Sequence, residues 1–144
     1  MASQVFVPDL YPTPASEFRL VRHPGRKRLP KLLSIGNDSD LMSSRSDVLA
    51  KAGCRVRSCT GLEASRLIRT IPFDVIVFGH SLSNAECGEL ATSARMANAG
   101  TKLLLLHAFE PRLPQIERLF DASLHCLKGP ALLVEEVAEL LAAR

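Results

Sequence analysis

The residues with the plainest chemical potential lie in Gly79-His80-Ser81-Leu82-Ser83. This run nearly matches Gly-x-Ser-x-Gly, the turn that presents a nucleophilic serine between a strand and a helix. Ser81 would need a base and an orienting acid, in the order serine, acid, histidine. Asp121 and His125 follow in that order, but they stand only four residues apart. They fall before and within one short strand, so no separate late loop remains to carry the histidine over the serine. Ser83 also replaces the final glycine of the turn. A small serine hydrolase using Ser81 is therefore the alternative reading and not the leading one.

Other groups suggest less. His80, His107 and His125 could approach one sheet edge, and three imidazoles can hold zinc. His125 falls inside its strand, however, and no carboxylate or cysteine is placed to complete the set, so no metal and no cofactor is expected. The cysteines are Cys54, Cys59, Cys87 and Cys126, with no Cys-x-x-Cys pair. Cys54 and Cys59 share one predicted strand and should point to opposite faces, as packed, reduced thiols. There is no Gly-x-x-x-x-Gly-Lys-Ser/Thr loop, and Gly36 alone is not a dinucleotide fingerprint.

Charge is uneven. The 144 residues carry a net +3. Residues 1–30 hold that whole excess, with five basic and two acidic side chains, while the remainder balances. Pro8, Pro12, Pro14, Pro24 and Pro30 oppose both helix and regular ladder there, so residues 1–30 read as a disordered tail. Its cluster Arg22-His23-Pro24-Gly25-Arg26-Lys27-Arg28 could touch nucleic acid. It lacks the aromatic residues of a nucleic-acid platform, and a solvated linker is the better reading. Nucleic acid is thus not the expected partner, although an adaptor using this tail is a second alternative. The longest apolar run, Leu103 to Leu106, is too short to span a bilayer. The first residues lack a secretory signal pattern, so a cytoplasmic protein with no membrane partner is expected.

From Lys31 onward the texture is that of alternating strands and helices. Strands are predicted at Lys31–Ile35, 54–59, Asp74–Phe78, 102–107 and 123–127. Helices are predicted from Asp40 to about Lys51, over 62–70, 84–98 and 115–120, and from Ala131 to Ala143. The run Asp74 to Phe78 is short, apolar and β-branched, as a central strand buried on both faces should be. Residues 54–59 alternate, as a strand with one wetter face does. Inner stripes are expected at Leu67, Ile68 and Ile71, at Cys87, Leu90, Ala91, Ala94 and Met96, and at Leu132, Leu133, Val137, Leu140 and Leu141. Strict alternation with short connections means a parallel sheet covered on both faces. The fold class is therefore α/β, a flavodoxin-like doubly wound sheet of five strands in the order 2-1-3-4-5 with five helices. Its function-bearing carboxyl ends are Gly36-Asn37-Asp38, Gly79-His80-Ser81, His107-Ala108 and Lys128-Gly129.

With Lys128-Gly129-Pro130 placed after the fifth strand, residues 31–144 resemble the CheY-like receiver domain of two-component response regulators. Receivers accept a phosphoryl group on an aspartate ending the third strand. An acidic pair after the first strand holds magnesium, a Thr or Ser ends the fourth, and a lysine contacts the phosphoryl oxygens. The resemblance places the phosphoacceptor position at Gly79 and the acidic pair at Gly36 and Asn37, or at Asn37 and Asp38 after a one-residue slip. The hydroxyl position falls on His107, and only Lys128 is kept, either to cap nearby carbonyls or as a solvated lysine. The resemblance therefore implies a degenerate pocket of Gly36, Asn37, Asp38, Gly79, His107 and Lys128, unable to be phosphorylated. It implies a non-enzymatic, stand-alone pseudo-receiver with no output domain after Arg144. Its partner would be a signalling protein, or a second copy bound through the face of the fourth helix, fifth strand and fifth helix.

Overall fold

The computed structural model describes residues 28–108 and 112–143. Residues 1–27 lie outside them, and with them nearly all of the predicted tail. Five strands form one sheet in the order β2-β1-β3-β4-β5, and every pairing is parallel. The strands are β1 (Lys31–Ile35), β2 (Arg55–Cys59), β3 (Val75–Phe78), β4 (Lys102–His107) and β5 (Ala122–His125). Between and after them run α1 (Ser39–Lys51), α2 (Gly61–Thr70), α3 (Asn84–Ala97), α4 (Pro114–Glu117) and α5 (Pro130–Ala142). The predicted strand order is the observed one.

Local chemistry explains the element boundaries. Asp38 caps α1 by accepting from the Leu41 N–H at 3.2 Å. Gly53, at φ +105°, lets the chain reverse into β2. Thr60 with Glu63, and Ser83 with Glu86, form capping boxes that start α2 and α3. Two apolar layers clamp the sheet. On one side α2 and α3 bury Leu67, Ile68, Cys87 and Leu90 against Leu33, Ile35, Ile76 and Phe78. On the other, α1 and α5 bury Leu49, Leu133, Val137 and Leu141 against Leu32, Val75, Val77 and Leu104. Cys54 and Cys59 fall in opposite layers as predicted, and none of the four cysteines is in a disulfide.

Four details differ from the sequence expectation. Met96 is 84% exposed, because on α3 it lies on the face opposite Cys87, Leu90, Ala91 and Ala94. Leu132 is also partly exposed, and Val134 takes its place in the stripe. The fourth helix is a single turn that ends before Phe120, whose ring instead packs edge-on against Phe78 at 4.7 Å. The fifth strand stops at His125, and Cys126–Lys128 coil into a 3-10 turn. That turn is closed by the His125 Nδ1, which accepts from the Leu127 N–H at 3.1 Å.

At the amino-terminal edge Asp74 gathers the chain start. It accepts from the Lys31 N–H at 2.8 Å and pairs with both arms of Arg28 at 3.0 and 3.3 Å. Arg28, the last member of the basic cluster, is thus tied to the sheet and does not belong to a freely solvated linker.

Candidate functional site

Parallel register brings the carboxyl ends of the strands level. Ile35 pairs with Cys59 and Phe78, and His107 with His125. The next residues, Gly36 and Gly79, lie at the point where strand order reverses between β1 and β3. Ligands of doubly wound sheets bind outside this edge.

Gly36 and Gly79 are both buried, and Asn37 and Asp38 are exposed. The Gly79 N–H donates to the Ile35 carbonyl at 2.8 Å. A β-carbon on Gly79 would stand 2.8 Å from that carbonyl oxygen and 3.0 Å from Nη1 of Arg45. The first contact is with backbone, so a side chain fits there only if β1 and β3 separate. Above Gly36 the space is taken by the Met42 sulfur, 2.7 Å from where a β-carbon would lie. Asn37 is held by its backbone, whose N–H donates to the Ser81 Oγ at 2.8 Å. Asp38 faces the start of α1 as its cap.

Arg45 fills the middle of this edge. It projects from α1, donating to the Met42 sulfur at 3.8 Å and lying 3.3 Å from the His80 Nδ1. Burial lowers its pKa from the usual arginine value, with Cys126 and Asp38 opposing the shift. The pKa of His80 is lowered by burial first and then by the Arg45 charge beside it. A neutral His80 can accept from Arg45 through Nδ1, which suits the short contact.

A second arginine closes the site from the other side. Arg112 follows β4 and donates to three carbonyls of the β3–α3 connection: Leu82 at 2.6 Å, Gly79 at 3.1 Å and His80 at 3.3 Å. These carbonyls belong to a turn that has no ladder partner of its own. The guanidinium fork satisfies them together, as its five fixed donors allow.

His107 and His125 stack edge-on at 5.2 Å on adjacent strand ends. Lys128 is exposed within the 3-10 turn. The structure thus brings Gly36, Gly79 and His80 together, sets the His107–His125 pair beside them, and leaves Lys128 at the rim. Arg45 and Arg112 were not singled out in the sequence. Arg45 had a signal, since it sits on the inner stripe of α1 with Met42 and Leu49. Arg112, between Pro111 and Pro114, had none.

The edge does not suit magnesium. Such an ion takes oxygen ligands, usually carboxylates. Here the acidic-pair positions present a glycine and a backbone-held asparagine, Asp38 is engaged as the cap of α1, and a guanidinium stands beside Gly79. Among the described residues no group of three His, Cys, Asp or Glu side chains is arranged to hold a metal. The hydrolase constellation is not assembled either. Asp121 accepts from the Leu103 N–H at 2.7 Å and from Arg95 at 3.0 Å. It therefore serves the amino-terminal edge, a strand length away from Ser81, roughly 13 Å.

Among the described residues no helix is long and apolar enough to cross a membrane. No family model matches the chain, and no curated protein matches it. Solved structures do. The chemotaxis response regulator CheY4 of Vibrio cholerae is 21% identical with a TM-score of 0.68, the match covering 78% of this chain and 99% of that one. A CheY-like receiver domain protein from Methanospirillum hungatei is 22% identical with a TM-score of 0.70, covering 79% and 94%. The response regulator TrrA, solved in complex with the histidine kinase ThkA, is 18% identical with a TM-score of 0.68, covering 78% and 98%. The strand order, the helices on both faces and these likenesses together establish that the chain has the fold of CheY-like response regulator receiver domains.

Proposed function

We propose that this chain is a receiver-like signalling module of a two-component-type system that acts by binding a protein partner, without phosphoryl transfer. On this reading residues 31–144 are the receiver-like domain, residues 1–30 are a tail, and Gly36, Asn37, Asp38, Gly79, His107 and Lys128 are the remains of a phosphorylation pocket. The observation that carries it is the pairing of Gly79 with Arg45. The position aligned with the phosphoacceptor has no nucleophile, and a guanidinium stands 3.0 Å from where any side chain there would begin.

Physical reasoning supports the loss of chemistry. Phosphoryl transfer to a carboxylate needs that carboxylate, and a metal to offset charge on the transferring group. Both requirements are opposed here, by a missing oxygen nucleophile and by a resident cation. Arg112 meanwhile bridges the β4–α4 and β3–α3 connections through neutral carbonyls. It couples loops at the carboxyl edge without needing a phosphoryl group to do so.

The remaining asset is surface. The partner is a signalling protein, as TrrA has in ThkA, or a second copy of the chain. The proposed face is α4-β5-α5, where Leu113 and Leu132 stay 46% and 38% exposed. Incubation with acetyl phosphate and magnesium, followed by intact mass measurement, tests the reading. No phosphoryl increment is expected, and an acyl phosphate anywhere on the chain would sink it.

A further inference from the structure

A groove of about 400 Å³ opens between α1 and the β5–α5 connection. Its walls are Leu41, Val48, Leu106, Leu124, Leu127 and Leu133. Its polar lining is Ser44, Arg45, His80, His125 and Cys126, and Arg45 and His80 meet there at 3.3 Å. Cavities of roughly 300–1,000 Å³ with apolar walls and a few converging polar groups are the size and kind that hold small organic ligands.

Charge identifies the ligand. Arg45 is half-buried, yet neither of its hydrogen-bond partners, the Met42 sulfur and the His80 imidazole, carries a negative charge. It forms no ion pair among the described residues. Cys126 and, less strongly, the Asp38 carboxylate act on it from a distance, and Asp38 is occupied as the cap of α1. Arg112 is turned to the carbonyls of the β3–α3 connection and adds a second positive charge nearby. Taking a cation out of water is costly unless an anion accompanies it. A carboxylate can accept both arms of a guanidinium fork.

We propose that this groove is a binding site for a small amphipathic carboxylate, whose acid group pairs with Arg45 beside His80 and whose apolar body lies along Val48, Leu106 and Leu133. The site needs neither a signalling partner nor any conclusion about phosphorylation, so it goes beyond the function proposed above.

The probe is decanoate, with decan-1-ol as its uncharged counterpart, titrated into the full-length ¹⁵N-labelled protein. Expected is saturable binding with amide shifts centred on Val48, Ala108, Cys126 and Leu133. Decanoate should bind at least about tenfold more tightly than decan-1-ol, the lower end of what a charge-assisted hydrogen bond contributes. Arg45→Gln should abolish that preference while decan-1-ol still binds, and Arg45→Lys, which keeps the charge, should restore part of it. Retained decan-1-ol binding shows that the Arg45→Gln variant is folded. Absence of saturable binding, equal affinity for acid and alcohol, or shifts away from the groove would each overturn the assignment. So would binding that appears only after deletion of residues 1–27, which would make the occupant this chain's own amino-terminal segment. A stable dimer whose groove amides do not respond to decanoate would overturn it too, since the cover would then be a second copy.

Discussion

A guanidinium is a poor neighbour for a magnesium ion, and Arg45 lies where a receiver-like pocket would need carboxylates. On the function proposed above, Gly79 belongs to an edge packed around Arg45, and restoring one residue is not expected to restore the chemistry. Gly79→Asp should place its β-carbon against the Ile35 carbonyl and Arg45. Overpacking of this kind costs about 1–3 kcal/mol. Urea unfolding should show that loss, and the variant should remain unphosphorylated by acetyl phosphate. Cys59 offers a test of the packing beneath the edge. Burial pushes its thiol from 9.0 up to about 11, with Glu63 adding to the shift. The thiol is protonated in both states below pH 9, so its contribution to stability is fully present there. Above that the unfolded chain ionises first, and stability falls until the folded thiol also ionises near 11. Relative to Cys59→Ala, the wild type should therefore lose on the order of 2–3 kcal/mol between those pH values. Denaturant midpoints measured at a series of pH values check this.

The elements were largely written in the sequence, and the reasons differ from one to the next. The apolar run 75–78 and the leucines of 103–106 read as central strands, because every side chain in them is apolar. The capping pairs Thr60–Glu63 and Ser83–Glu86 mark helix starts within a residue or two. The fifth strand and fourth helix were less legible, since His125 closes the next turn and Phe120 packs on Phe78, both tertiary effects. The pocket was legible only by subtraction. Absent carboxylates can be counted along a chain, but the arginines at this edge act across 33 or more residues, as in the bonds from Arg45 to His80 and from Arg112 to Gly79. Arg112 links two connections of the fold, and its removal should be felt as a unit. Arg112→Ala should cost roughly 1.5–3 kcal/mol, the range for hydrogen bonds to a charged group. Amide exchange should accelerate in 79–83 ahead of the sheet. On the opposite flank, Leu132→Glu should weaken partner or self-association through α4-β5-α5 while leaving the unfolding midpoint nearly unchanged. Sedimentation and a thermal melt would report the two effects separately.

At the scale of the molecule, the parallel sheet and its two apolar layers account for the receiver fold. The carboxyl edge is held by side chains of the chain itself: Asp38 and Ser81 at one end, Arg45 and His80 in the middle, Arg112 across the loops. On the function proposed above, such a domain acts through what binds its surface or the groove beside it. The central claim is that the edge no longer admits magnesium and a phosphoryl group. Beryllofluoride, which mimics a phosphorylated aspartate when magnesium is present, tests it most directly. Titrated with magnesium into the ¹⁵N-labelled full-length protein, it should leave the amide resonances of Asn37, Gly79, His80 and Lys128 where they are. Saturable shifts at those residues, dependent on both magnesium and beryllofluoride, would contradict the account.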